Sequence, residues 1–162
     1  MEKKSRVNHS FPPFFGERPR ILLLGSFPSV KSRKEGFYYA NPQNRFFPLL
    51  AAVYQEEVPL GTKERKAFLS RYHLALYDVI GECEILGSSD SSIREAKPTD
   101  LSLFPSSLTR IILNGKLAAS LFERYQKAPA GVEVLSLPST SPANAAYSFE
   151  KLLSLYRPAL LG

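Results

Sequence analysis

The sequence contains few of the residues from which most catalytic and metal-binding sites are built. Among 162 residues there are one cysteine and two histidines, and there is no tryptophan. A single cysteine, Cys83, cannot form an internal disulfide, a multi-cysteine zinc site or an iron–sulfur cluster. The phosphate-binding loop, the dinucleotide-binding glycine pattern and the His-Glu-x-x-His zinc motif are missing. The sequence therefore favours neither a nucleophilic catalyst nor a metalloenzyme, and we expect no metal and no cofactor.

Long apolar segments are missing as well. No run approaches the roughly 18 residues that a membrane span needs. The basic N-terminus is broken by Pro12 and Pro13 and lacks the apolar core of a signal peptide. We therefore expect an intracellular, cytoplasmic protein with no membrane partner. Lys and Arg number 21 against 15 Asp and Glu, a net charge of +6, which favours polyanionic partners but is a weak signal alone.

The length suits a single domain over residues 1–162, with an N-terminal arm at residues 1–18. We expect Phe11, Phe14 and Phe15 to pin this arm to the body. Asn44 and Thr62 are predicted to cap the helices that they begin, and long loops are predicted at residues 25–43 and 81–100. The apolar pattern predicts strands at residues 20–25, 74–80, 110–113 and 132–137, and helices at residues 44–54, 62–72, 116–126 and 143–155.

Strands that alternate with helices predict an α/β fold with a parallel sheet and helices on both faces. Such sheets bind ligands outside the carboxyl ends of their strands. Polar and loop-forming residues follow the predicted strands at these ends, and we therefore expect the functional site there. The residues are Gly25, Ser26, Asp78, Asn114, Gly115 and the segment 137–140.

Two motifs near opposite ends of the chain carry a family resemblance. Residues 25–29 (GSFPS) and 38–47 (YYANPQNRFF) resemble the first motif of the mismatch-specific uracil/thymine glycosylases, and residues 137–144 (LPSTSPAN) resemble the second motif of the uracil-DNA glycosylase superfamily. Residues 77–80 (YDVI) and 87–93 (GSSDSSI) resemble stretches of its DNA-deoxyinosine (hypoxanthine-DNA) glycosylase branch. The resemblance covers about residues 9–157. It implies a three-layer α/β/α sandwich with a four-stranded parallel sheet.

The resemblance also implies an activity. The protein would be a monofunctional DNA glycosylase of base excision repair that flips out and excises deaminated bases, above all hypoxanthine from deoxyinosine. Such catalysis needs few titratable groups, because hydrogen-bond donors can hold the leaving base while a water attacks the sugar. Ser26 stands where uracil-cleaving relatives carry Asn or Asp, and the catalytic amide is then Asn44. Asn41 is its nearest competitor, and the residues alone favour a helix cap as the role of Asn44.

The resemblance assigns further residues to a base pocket and to DNA contacts. Tyr39 aligns with an aromatic that stacks on the flipped base, although it could instead pack in the core and Tyr38 or Phe27 could take its place. The pocket is expected to comprise Gly25, Ser26, Phe27, Tyr39, Asn41 and Asn114. The loop from Pro138 to Pro142 would press into the duplex and contact phosphates, and three basic residues would clamp phosphates, unless these are only a connector and a solvated face. The DNA-binding set is Lys31, Arg33, Lys34, Pro138, Ser139, Thr140 and Ser141.

Departures from the family pattern leave alternatives open. The second motif has Leu137 before its proline and lacks the histidine that many uracil-DNA glycosylases aim at the base carbonyl, which argues against efficient uracil excision. Lysine is not found in a recognisable Schiff-base setting, so we expect no lyase activity. The alternatives are a uracil/thymine mismatch glycosylase, a non-catalytic damaged-DNA-binding module, or a domain that binds a free nucleobase. For a DNA-binding protein of this size we expect a monomer that binds DNA containing a deaminated base, in the cytoplasm or associated with the nucleoid.

Overall fold

The computed structural model describes residues 4–8, 12–26, 32, 34, 36–86 and 94–162, with only the backbone of residues 4–8, 81–86 and 94–97. Seven strands and four α-helices lie in these segments, along with a short 3-10 turn at Leu101–Leu103. None of the helices described is long and apolar enough to cross a membrane. In chain order the elements are β1 (Lys4–Asn8), β2 (Ile21–Gly25), α1 (Phe46–Tyr54), α2 (Thr62–Arg71), β3 (Leu74–Asp78), β4 (Ile80–Leu86), β5 (Arg94–Pro98), β6 (Arg110–Asn114), α3 (Lys116–Tyr125), β7 (Glu133–Leu137) and α4 (Phe149–Leu161).

A four-stranded parallel sheet with strand order β3-β2-β6-β7 forms the centre of the molecule. All five residues of β2 and of β3 are buried, as expected for strands that are covered on both faces. The helices cover the sheet, and α1 packs against α4. The predicted α/β/α sandwich with a four-stranded parallel sheet is therefore confirmed, and the predicted strands at residues 20–25, 110–113 and 132–137 are each correct to within a residue.

A second sheet, antiparallel and three-stranded, was not predicted. Its order is β1-β4-β5, and β1 pairs with β4 from Lys4 opposite Leu86 to Asn8 opposite Glu82. The predicted loop over residues 81–100 was therefore wrong where β4 and β5 lie, and the predicted arm over residues 1–18 contains β1. The sequence of β4 does alternate acidic and apolar residues, a strand signal that the serine-rich stretch after it obscured.

The expected pinning of the chain before β2 is confirmed for two of its three phenylalanines. The backbone of Phe14 bridges to Leu76 in β3, and its ring lies 6.1 Å from the ring of Phe37. Phe15 packs against Phe104 with ring centroids 5.6 Å apart. Phe11 lies outside the described residues. These contacts close the core over one edge of the parallel sheet.

Several predicted helix ends were wrong by a few residues. The N-cap positions of α1 and α2 are occupied by Arg45 and Gly61, so neither Asn44 nor Thr62 holds the predicted position. The last helix begins at Phe149 rather than near residue 143, because the side chain of Ser148 accepts the Lys151 N–H and caps it. It continues to Leu161 even though it contains Pro158. Residues 143–147 are instead turns that lead from the second motif into α4.

Candidate active site

A polar pocket with a volume of about 180 Å³ opens at the edge of the parallel sheet where β2, β3 and β6 end. The pairing of the strands brings three of the pocket residues together. Gly25 at the end of β2 lies opposite Asp78 at the end of β3, and Asn114 ends β6 on the other side of β2. The pocket therefore lies at the carboxyl edge, where the strand pattern predicted a site. It is lined by Gly25, Ser26, Ser32, Tyr38, Tyr39, Asn41, Asn44, Asp78, Asn114, Ser139, Thr140, Ser141 and Pro142.

Asn44 combines a local structural role with a position in the pocket lining. Its Oδ1 accepts the backbone N–H of Phe46 at 2.9 Å and the hydroxyl of Thr140 at 2.8 Å. A backbone N–H can only donate, so the amide must present its oxygen to Phe46 and its NH2 on the other side. Among the described residues Nδ2 of Asn44 has no hydrogen-bond partner. The oxygen therefore supports the start of α1, and the donor is left available for a ligand.

Thr140 and Asn114 form the polar floor behind Asn44. The Thr140 side chain is only 1% exposed, and its Oγ1 lies 3.1 Å from Nδ2 of Asn114. Oδ1 of Asn114 accepts the backbone N–H of Thr140 at 3.0 Å, and its Nδ2 also lies 3.2 Å from the Tyr39 hydroxyl. Hydrogen bonds thus join the end of β6 to both sequence motifs. Asn114 is a structural link as well as a lining residue.

Tyr39 both packs in the core and lines the pocket, so the two sequence interpretations overlap. One face of its ring stacks on Phe46, with centroids 3.8 Å apart and planes at 14°. Its backbone has a φ of 53°, a left-handed conformation that is uncommon for a tyrosine. Burial raises the pKa of Tyr39 well above its ordinary value, and the neighbouring Asp78 carboxylate raises it further. Tyr39 is therefore a neutral phenol at physiological pH.

Gly25 is required by the crowding around Asp78 rather than by its own backbone conformation. A Cβ at position 25 would lie 2.5 Å from Oδ1 of Asp78 and 3.6 Å from the Tyr39 hydroxyl. Asp78 is 5% exposed, so its carboxylate has little room to retreat. The glycine therefore lets the Asp78 carboxylate lie against the end of β2, which decides the shape of the pocket at this point.

We expect Gly25→Ala to destabilise the protein by about 1–3 kcal/mol, the usual cost of forcing an extra carbon into a packed site. Urea unfolding measures this change. In the double variant Gly25→Ala/Asp78→Ser the smaller side chain removes the clash, so the two effects should not add. Additive losses would show that Asp78 is not what makes glycine necessary at position 25.

Arg45 ties the first motif to the second. Its guanidinium donates to the carbonyl oxygens of Ser141 at 2.9 Å and of Asn144 at 3.1 Å, and also to that of Tyr147. Its Nε and its backbone N–H both reach the carbonyl of Thr140. A single side chain adjacent to Asn44 therefore holds the whole loop from residue 140 to residue 147 against the start of α1.

The rest of the second-motif loop is held by short-range hydrogen bonds. The hydroxyl of Ser139 accepts the N–H of Ser141, and the carbonyl of Ser139 accepts Nδ2 of Asn144 at 3.0 Å. The carbonyl of Pro138 accepts the hydroxyl of Tyr156 from α4 at 2.6 Å. Ser139 and Ser141 are half-buried at the pocket mouth, and Pro138 lies beside them just outside the lining. The loop is therefore preformed, with its serines at the pocket entrance.

The pocket assembles most of the residues that the sequence predicted for it. Tyr39, Asn44 and Asn114 line it, together with Gly25, Ser26 and exposed Asn41. Three residues that were predicted to contact DNA line it as well, namely Ser139, Thr140 and Ser141. Lys34 is exposed and is not part of the lining. Three predicted residues lie outside the described residues, namely Phe27, Lys31 and Arg33.

Four lining residues were absent from the predicted sets of pocket and DNA-binding residues. Asp78 was expected at this edge of the sheet but was given no role, and Tyr38 was considered only as a substitute for Tyr39 in stacking. Ser32 gave no signal in the sequence; its hydroxyl oxygen accepts the Ala40 N–H, and the Tyr38 hydroxyl donates to the Pro12 carbonyl. Pro142 ends the loop that was expected to press into the duplex, but the DNA-binding set stopped one residue before it.

Comparisons with known proteins agree with this architecture. No family model matches the chain. A hypoxanthine DNA glycosylase from Methanosarcina acetivorans is 33% identical over 147 residues, which is 88% of this chain and 91% of that protein. A hypoxanthine DNA glycosylase from Methanosarcina barkeri is 30% identical over 83% of this chain and 86% of that protein.

A solved structure shows the same fold. The solution NMR structure of a protein proposed to be a uracil DNA glycosylase from Methanosarcina acetivorans matches with a TM-score of 0.76 and 28% identity. The match covers 96% of this chain and 99% of that one. The two proteins thus share the same fold along nearly their full length. The chain belongs to the hypoxanthine-DNA glycosylases, a family of DNA glycosylases within the uracil-DNA glycosylase superfamily.

Proposed function

We propose that this protein is a monofunctional DNA glycosylase that excises hypoxanthine from deoxyinosine in DNA, with Asn44 as the catalytic amide. The observation that carries the proposal is the orientation of Asn44. Its oxygen is committed to Phe46 and Thr140, which leaves its NH2 as a donor on a residue that lines the pocket. The relatives named hypoxanthine DNA glycosylase support the choice of substrate.

The chemistry fits a site of this composition. In hydrolysis the bond between C1′ and the base nitrogen breaks, its electron pair stays with the base, and a water molecule adds to C1′. Negative charge therefore develops on the leaving base, and a fixed donor aimed at it lowers the barrier. Because Asn44 is already held by two hydrogen bonds, little reorganisation is needed when the charge appears. Tyr39, neutral and held by Phe46, gives the base a rigid wall.

A donor from Asn44 also explains selection against undamaged adenine. Deamination replaces the exocyclic amino group of adenine, a donor, by a carbonyl oxygen, so that hypoxanthine presents O6 and N7 as acceptors in the way guanine does. A pocket built to hydrogen-bond a particular group rejects an analogue that lacks it by as much as 10⁴–10⁵-fold. We propose that the NH2 of Asn44 faces this acceptor edge of the flipped base.

Other features of the proposal follow from the same pocket. The proposed reaction is base release by water without a Schiff base or lyase step, because the sequence places no lysine in a recognisable Schiff-base setting. The substrate would be DNA containing a deaminated base, bound by a monomer whose net charge of +6 favours a polyanion. Because the proposed substrate is DNA, we propose an intracellular location, in the cytoplasm or at the nucleoid.

Single-turnover base release from labelled duplexes tests the proposal. Each duplex carries one hypoxanthine, uracil, xanthine or G·T mismatch, and the released base is quantified over time. We expect hypoxanthine to be released much faster than the other bases. Release of uracil in preference to hypoxanthine would make the proposed substrate wrong while leaving the glycosylase activity in place.

Binding measurements on the same duplexes distinguish the glycosylase from the two alternatives without glycosylase activity. Tight, salt-sensitive binding without release of any base would identify a non-catalytic damaged-DNA-binding protein and overturn the proposed activity. Neither binding nor release would instead point to a domain for a free nucleobase, because affinity for duplex DNA depends on phosphate contacts and falls with salt.

A further inference from the structure

Thr140 lies in the segment that the sequence assigned to DNA contacts, yet its side chain faces the interior. It is 1% exposed, whereas the serines on either side of it are half-buried at the pocket mouth. Its hydroxyl lies between two side-chain amides, those of Asn44 and Asn114. In this position the hydroxyl is directed toward the catalytic amide rather than toward a phosphate.

The direction of the hydrogen bonds through Thr140 is fixed by chemistry. Oδ1 of Asn114 accepts the backbone N–H of Thr140 at 3.0 Å, so Nδ2 of Asn114 must be the atom that lies 3.1 Å from Oγ1. Nδ2 can only donate, which makes Oγ1 the acceptor in that contact. The single hydrogen of the hydroxyl is then directed to Oδ1 of Asn44, 2.8 Å away.

We propose that Thr140 is a positioning residue for the proposed reaction: it relays a hydrogen bond from Asn114 to the oxygen of Asn44 and so holds the Asn44 NH2 toward the pocket. Two donors on one carbonyl oxygen fix both the plane and the tilt of an amide, whereas one donor leaves it free to rock. The effect of Thr140 on reaction rate rests on the proposed function of Asn44. Its effect on the orientation of Asn44 does not.

Two substitutions at position 140 give opposite predictions for a relay and for simple packing. Thr140→Val keeps the shape and the methyl group but removes the hydroxyl, while Thr140→Ser keeps the hydroxyl and removes the methyl group. If Thr140 is a relay, Thr140→Val should slow single-turnover hypoxanthine release by about tenfold or more. Thr140→Ser, which keeps the hydroxyl, should release hypoxanthine at a rate within about threefold of the wild type. If Thr140 contributes only packing, Thr140→Ser should be the slower of the two variants, and this outcome would overturn the proposal.

Affinity separates positioning from a direct phosphate contact. Because the relay acts on a donor used in the transition state, Thr140→Val should leave the Kd for a duplex with an abasic site unchanged within about twofold. The sequence-based expectation, a phosphate contact by Thr140, predicts weaker binding with an unchanged rate at saturating DNA. That second result would also overturn the proposal.

An NMR measurement tests the orientation of the Asn44 amide without relying on catalysis or on a single variant. The side-chain NH2 resonances of Asn44, identified by their loss in Asn44→Asp, should shift in Thr140→Val and stay in place in Thr140→Ser. Asn114→Asp, which cannot donate to Oγ1, should shift them as well, and it serves if Thr140→Val does not fold. Unmoved resonances would disprove the relay. If the wild type releases no base but the resonances move as expected, the proposed function fails and the relay stands.

Discussion

Asn44→Asp is expected to slow single-turnover release of hypoxanthine by about 10²–10³-fold, the cost of removing one preorganised donor from a developing negative charge. The substitution is nearly isosteric and keeps an oxygen for the Phe46 N–H and the Thr140 hydroxyl. The donor that lines the pocket is lost, and the carboxylate adds a negative charge that opposes the charge developing on the leaving base. Base release measured at saturating enzyme reports the chemical step directly.

The same substitution separates catalysis from helix capping, the two interpretations that the sequence left open. A carboxylate near a helix N-terminus interacts favourably with the helix dipole, so the midpoint of thermal unfolding should be unchanged or higher in Asn44→Asp. A residue that only supports α1 would therefore tolerate this change with full activity. Full activity in a stable Asn44→Asp variant would remove Asn44 from the mechanism.

Asn41 provides the matched control for this prediction. It lines the same pocket and its Oδ1 also accepts a backbone N–H two residues later, that of Gln43 at 2.9 Å, but it is exposed. We expect Asn41→Asp to slow release far less than Asn44→Asp, because a solvated amide stabilises charge less than one fixed in a desolvated site. The reverse order would assign the catalytic role to Asn41.

The parallel sheet and the place of the pocket could be predicted because both depend on local patterns. The run from Ile21 to Leu24 is apolar without interruption, and Gly25 follows directly. Asn114 likewise ends an apolar strand. In a parallel sheet the carboxyl ends of neighbouring strands meet at one edge, so the sequence pattern alone predicts that these residues, far apart in the chain, lie close together.

The partners of those residues could not be predicted, because they depend on contacts over long sequence separations. In the sequence, Thr140 is one of several small polar residues in its loop and has no distinguishing feature. Its side chain is buried only because this loop packs on Asn44 and Asn114. The helix-capping position predicted for Asn44 was wrong by one residue, because the Arg45 backbone N–H is bonded to the carbonyl of distant Thr140 and α1 begins only at Phe46. The β1-β4-β5 sheet was missed because its strands are polar in part and lie far apart in the chain.

Arg45→Lys should destabilise the protein by about 2 kcal/mol, the contribution of one hydrogen bond from a charged donor (roughly 1.5–3 kcal/mol), because the ammonium replaces only part of the set that the guanidinium makes. The planar guanidinium reaches carbonyl oxygens from Thr140 to Tyr147 at the same time. An ammonium group cannot span that distance with a single nitrogen. For a chain of this length the loss corresponds to a decrease of roughly 4–8 °C in Tm, measured by thermal unfolding.

Arg71→Lys is the control for this prediction, because Arg71 forms an ion pair with Glu56 at a surface where its side chain is 53% exposed. Exposed pairs of this kind contribute little to stability, so its Tm should hardly change. Arg45→Lys should also speed amide hydrogen exchange across residues 139–144, as the loop loses its support, and should weaken binding to duplexes that carry a lesion. Equal Tm values for the two variants would mean that the loop is held by its own serine and asparagine hydrogen bonds. Arg45 would then be only a neighbour of the catalytic amide, and the coupling between the two motifs would depend on Thr140 alone.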